Sequence, residues 1–212
     1  MKRWPLLAAL AYAAIVVVGL FVVPQPPGVE ASGAQLVHYY ASHASGVHLV
    51  AWLGAVSIIP LALVVAHLRR FAVGVGRDVF VLGAATLLTS TSIWLWFGAG
   101  LALHAATLQP ATARSLADVA AYFGPVLTAT VILVVAPIGV AAWRGASGLP
   151  QWLAWLSFAY IAEQATETVT VVSTHGFVAP GGAMNLSLGA GLFLVWLVAA
   201  AAAAISQPRT DS

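Results

Sequence analysis

Uninterrupted apolar runs of about 20 residues recur along this chain, each long enough to cross the roughly 30 Å hydrocarbon core of a bilayer as an α-helix. In oil, backbone polar groups must satisfy one another, so such runs fold as helices or as a closed barrel. These are continuous stretches of Ala, Val, Leu and Gly, not segments of about ten residues with alternating polarity, and that selects helices. Of the 212 residues 61% are hydrophobic and 7% charged, against about 25% charged in an ordinary soluble domain. The expected fold is all-α, a polytopic transmembrane helical bundle occupying 1–212 as a single domain.

Six spans are read at 4–23, 48–68, 79–103, 121–143, 152–172 and 186–205, with a short interfacial helix over about 32–45. Lys2, Arg3, Arg69, Arg70, Arg77, Arg144 and Arg209 fall beside span ends on one side, and Arg114 alone on the other. The positive-inside rule makes the first side cytoplasmic and gives an N-in/C-in protein of the plasma membrane. Lys2, Arg3 and the following apolar run imitate a secretory signal. That run exceeds the usual 7 to 15 residues, so a retained first span is expected. The cytoplasmic connections, 69–78 and 144–151, are too short for a soluble catalytic or nucleotide-binding domain.

The residues that are missing narrow the chemistry. With no cysteine, the chain has no structural disulfide, thiolate metal site, iron–sulfur cluster or Cys-attached haem. The net charge of +2 arises from basic residues scattered at span ends, so it reflects topology and implies no nucleic-acid partner. The expected partners are the lipid bilayer and other membrane proteins, or a second copy of the chain.

Span five carries the most informative pattern. Glu163 and Glu167 lie four residues apart in an otherwise apolar helix and so share a face, which Tyr160, Thr166, Thr170 and Thr174 extend. A carboxylate at a span centre costs about 2.5–3.5 kcal/mol, so the stripe is expected to face the bundle interior or water. Two acids a turn apart cannot both ionise cheaply in a low dielectric, and no Lys or Arg lies within a span. One of them is then expected to be protonated, or a cation or protonated histidine to sit beside them. Ser57, Ser90, Thr91 and Thr128 lie at similar depth as candidate hydroxyl partners. Three readings stay open: a hydrogen-bonded packing seam, a proton or cation site (Glu163, Glu167, Tyr160, Thr170), and a catalytic acid/base pair.

His38, His43, His48, His104 and His175 all fall on the expected outer side. His48, His104 and His175 together with Glu167 are candidate ligands for zinc, copper or iron, and a histidine pair could ligate haem. No HExxH motif is present, and the five-residue spacing of His38, His43 and His48 does not place them on one helical face. An interfacial role is the plainer reading, and no cofactor is assigned. Pro60, Pro125 and Pro137 are expected to kink their spans. Pro180-Gly181-Gly182 is read as a turn, since a phosphate loop needs its lysine.

The segment from Pro26 to Arg70 combines a Pro-containing loop, Ala31-Ser32-Gly33-Ala34, His38-Tyr39-Tyr40-Ala41-Ser42-His43 and a long span ending in Leu68-Arg69-Arg70. With Leu149-Pro150-Gln151-Trp152-Leu153 before span five, it resembles small six-span integral membrane proteins of actinobacteria. The resemblance implies the fold and no activity. Because no complete catalytic constellation can be assembled, a non-enzymatic bundle is expected, either an accessory protein or a binder of a small solute, proton or cation. A metal-dependent or haem-binding enzyme with an outer His/Glu site is the alternative.

Overall fold

The computed structural model describes residues 3–173 and 175–206; Lys2, Thr174 and Arg209 lie outside the described residues. It is helical throughout, with no strand among the described residues. The helices are α1 (Trp4–Val22), α2 (Gly33–Leu68), α3 (Val75–Leu103), α4 (Pro110–Ala121), α5 (Phe123–Trp143), α6 (Gln151–Glu167) and α7 (Ala190–Ile205). Helices α1, α2, α3, α5, α6 and α7 each pack against the next in that order, and α7 returns to α1 to close the ring. Among the described residues five segments are long and apolar enough to cross a membrane: Trp4–Val22, Gly33–Phe71, Val75–Leu103, Pro110–Trp143 and Ser187–Ile205.

The remaining helix is the one that bears the acids. α6 has 17 residues and continues as a 3₁₀ turn over Thr168–Val171. At about 1.5 Å per α-helical and 2.0 Å per 3₁₀ residue, the two together reach roughly 33 Å, about one hydrocarbon thickness. Thr170, in this turn, lies on the buried side of the helix.

The bundle is apolar outside as well as inside. Phe21, Trp52, Ile59, Leu82, Trp96, Trp155 and Val195 are all exposed, a belt that water would penalise and acyl chains would not. Arg3, Arg69, Arg70, Arg77 and Arg144 gather at one end, where Trp4 meets His67 edge-on at 5.1 Å. The half of the bundle next to this arginine end is solid. Leu61, Val64, Leu68, Phe80, Val134, Val135, Ile138, Leu153, Trp196 and Leu197 form one buried cluster. Small residues let the helices approach there. A Cβ on Gly83 would lie 2.6 Å from Leu133 Cβ, and one on Gly139 would lie 2.7 Å from Ser157 Cβ. Ser157 Oγ in turn accepts the indole N–H of Trp196 at 2.9 Å.

Several details depart from the sequence expectation. Helix α2 joins the expected short helix and second span across a break in helical geometry at His43 (φ −121°, ψ 17°), and Pro60 does not break it. Pro125 sits in the first turn of α5, where its missing N–H costs nothing, so it starts a helix and does not kink one. Helix α4 was not anticipated. It opens with proline at its first position and lies against α2, at the end of the bundle away from the arginines.

Candidate functional site

Opposite the arginine end the bundle is hollow. A cavity of about 370 Å³ runs inward from Pro26, Gly28 and Pro180 to Tyr160, Gln164, Glu167, Asn185 and Phe193. Its size falls within the range typical of small-molecule sites, about 300–1,000 Å³. Aromatic side chains form much of the wall. Trp94 stacks on Phe123 at 5.5 Å, Tyr12 meets Phe193 edge-on at 6.3 Å, and Tyr39 and Tyr40 stand nearer the mouth.

The floor is a built polar network. Glu167 is only 3% exposed, and each of its carboxylate oxygens takes an amide N–H. Asn185 Nδ2 donates to Oε1 and Gln164 Nε2 to Oε2, both at 2.5 Å. The same Gln164 nitrogen donates to Glu163 Oε2 at 3.0 Å, so one amide bridges both acids. Asn185 is itself held, because its Oδ1 accepts the N–H of Gly181 at 3.2 Å. Gly181 takes a positive φ of 69° in the turn before α7, a backbone conformation that favours glycine. The Tyr160 hydroxyl donates to the carbonyl of Gly189 at 3.1 Å.

This floor forms because α7 enters through a π-helical turn, Met184–Gly189, that carries Asn185 inward and ends at a glycine. Such turns are rare and frequent at functional sites. A Cβ on Gly189 would lie 2.9 Å from Glu167 Oε1 and 3.0 Å from Oε2, so only glycine leaves room for the carboxylate. Gly124 does the same for Asn185, whose Cγ would be 2.9 Å from an added Cβ.

The rim is clamped by charge. Arg114 Nη1 donates to the carbonyls of Gly28 at 3.2 Å and Ala31 at 2.9 Å, while Nη2 pairs with Asp118 at 2.6 Å. The N–H of Gly176 donates to Glu30 at 3.2 Å, which ties together the two loops at this end. Tyr39 is anchored by donation from its hydroxyl to the Pro24 carbonyl.

The structure brings some of the expected residues together and scatters others. Tyr160 and Glu167 both line the cavity. Glu163 joins them through Gln164 and keeps one buried oxygen, Oε1, without a partner. Thr170 is fully buried with its hydroxyl unpartnered, outside the cavity lining. Thr166 is exposed and turns back to the Glu163 carbonyl at 2.7 Å. The hydroxyl partners expected from other helices do not reach the acids. Ser57 bonds Gly54 at 2.7 Å and Thr91 bonds Leu87 at 2.9 Å, each within its own helix. The buried Thr128 hydroxyl has no partner.

The metal candidates do not converge. His48 Nε2 faces the Ala99 carbonyl on α3 at 3.2 Å, His104 and His175 are exposed, and Glu167 is turned inward. Among the described residues no group of three or more His, Cys, Asp or Glu is placed to hold a metal ion. Sequence reasoning missed two members of the site. Gln164 lies four residues after Tyr160 and three before Glu167, so helical spacing alone puts it on the buried face. Asn185 carried only the weaker signal of a lone amide at the start of an apolar run.

No family model, curated protein or solved structure matches the chain. The reading of the site therefore rests on its own geometry.

Proposed function

We propose that this chain is an integral protein of the plasma membrane, with both termini cytoplasmic, that binds a small solute in exchange with a proton at Glu167. One observation carries this reading: a carboxylic acid at the floor of a cavity, almost wholly removed from solvent, with no lysine or arginine paired to it among the described residues. A buried acid needs a proton, a cation or strong donors. The amides of Gln164 and Asn185 supply donors but no charge. A site of this kind exchanges its neutralising partner through the space it faces. Glu163, linked through Gln164, extends the acceptor set.

The solid half beside the arginine end supports a binding site closed on that side, not an open pore. The gathering of arginines at that end supports a cytoplasmic placement for it.

Infrared difference spectroscopy of the purified protein through an acid–base titration tests the proton. The wild type should show a carboxyl C=O band that appears on acidification. Glu167→Gln should remove the component of that band contributed by the buried carboxyl while retaining the helical circular-dichroism spectrum. Glu163→Gln should shift it, because the two acids share the Gln164 amide. A titration spectrum unchanged by Glu167→Gln would overturn the reading.

A further inference from the structure

We infer that the solute is an organic cation, an amine on a ring-bearing or chain-like apolar body, with its nitrogen docked on Glu167 and its body against the aromatic wall. The inference rests on the solute-binding reading above and adds the chemistry of the ligand.

Three observations fix that chemistry. First, the floor chiefly offers acceptors. The Gln164 amide nitrogen already donates to both acids, the Tyr160 hydroxyl donates to Gly189, and Asn185 donates to Glu167. The lone pairs of Glu167 that remain call for a donor, and a carboxylate or phosphate placed there would meet like charge. Second, the walls suit a cation. Tyr12, Trp94, Phe123, Tyr160 and Phe193 line the space, and ring faces attract ammonium groups within about 6 Å. Third, Arg114, the one arginine lining the cavity among the described residues, does not reverse this preference. The charge of Arg114 is met by Asp118 and its Nη1 is bound to two carbonyls, so the rim is a neutral ion pair and not an anion receptor. The mainly apolar surface between floor and rim holds the body of the ligand.

Three probes of one shape and different charge test the inference: phenylbutylamine, phenylbutanol and phenylbutyrate. Each is titrated calorimetrically at one neutral pH into the purified full-length protein in neutral lipid nanodiscs, with empty nanodiscs as reference. The amine should bind about tenfold or more tighter than the alcohol, the difference made by a hydrogen bond to a charged group. Phenylbutyrate should bind weakest. Glu167→Gln should bring amine and alcohol to equal affinity. Gly98→Leu should weaken the amine about tenfold by filling space beside Val47, where an added Cβ meets nothing closer than 3.8 Å.

Equal binding of amine and alcohol by the wild type, or an amine preference that survives in Glu167→Gln, overturns the inference. Should Glu167→Gln not yield folded protein, the wild-type ranking of the three probes decides alone. Without an amine preference but with a carboxyl band that titrates, the ligand class fails and the proton-exchanging site stands. An amine preference with no titrating band leaves the ligand class intact and removes the proton exchange.

Discussion

Gly189 shows how much of the site depends on one absent methyl. Its carbonyl accepts Tyr160, and its missing Cβ leaves the volume that Glu167 occupies. Gly189→Ala gains about 1 kcal/mol of helix preference and loses about 1–3 kcal/mol to overpacking. The group that must move is a side-chain tip, but two amides hold that tip. The expected outcome is a small net loss of stability, read by unfolding in detergent, together with a shift of the Glu167 carboxyl band. An unshifted band would mean that the carboxylate does not rest against Gly189. The acids themselves were legible in the sequence, because ionisable residues in an apolar run stand out. Gln164 and Asn185 were not, because uncharged amides cost less in a span and draw less attention than carboxylates.

Among the helices, α3 and α5 meet where Gly83 faces Leu133 and Val134, and the contact there is with backbone, not with a flexible tip. A Cβ would lie 2.9 Å from the Leu133 carbonyl carbon as well as 2.6 Å from its Cβ. Gly83→Ala should therefore push the two helices apart and lower stability by about 1–3 kcal/mol. The carboxyl band should not change, since Gly83 belongs to the solid half. A titration of Glu167 altered by this variant would contradict the separation of the two halves. The apolar runs made the all-α bundle legible before any coordinates. The break near His43 was legible as the boundary between a short helix over about 32–45 and a span from 48, whereas Pro60, the expected breaker, leaves helical geometry intact. Helix α4 escaped because it is short and amphipathic, with Leu116 and Val119 exposed and Ala113 buried. Its polar residues read as loop. The 3₁₀ end of α6 and the π-helical start of α7 have no sequence signal of their own. The π-helical start places Asn185 against Glu167, a contact made across the fold and not along the chain.

For the whole molecule, the absence of cysteine makes any introduced thiol a unique reporter. Thr112→Cys on α4 and Ala146→Cys between α5 and α6 lie at opposite ends, and both positions are exposed. A membrane-impermeant thiol reagent applied to intact cells should label Thr112→Cys at once and Ala146→Cys only after lysis. Labelling of both, or the reverse order, would refute the proposed orientation. The helical bundle followed from the cost of peptide groups in oil, which is a property of composition. The cavity did not, because it depends on how side-chain volumes from six helices fail to fill one half of a closed ring.

That uneven filling sets the kind of traffic the molecule can support. A vessel sealed at its base has one doorway, so whatever enters past Arg114 must leave the same way unless neighbouring helices part. Delivery to the far side would require the plug around Leu61, Val134 and Trp196 to be rebuilt on every cycle. On the proposed reading, a site of this shape would equilibrate with one compartment, its occupancy following the concentration there instead of driving flow across the bilayer.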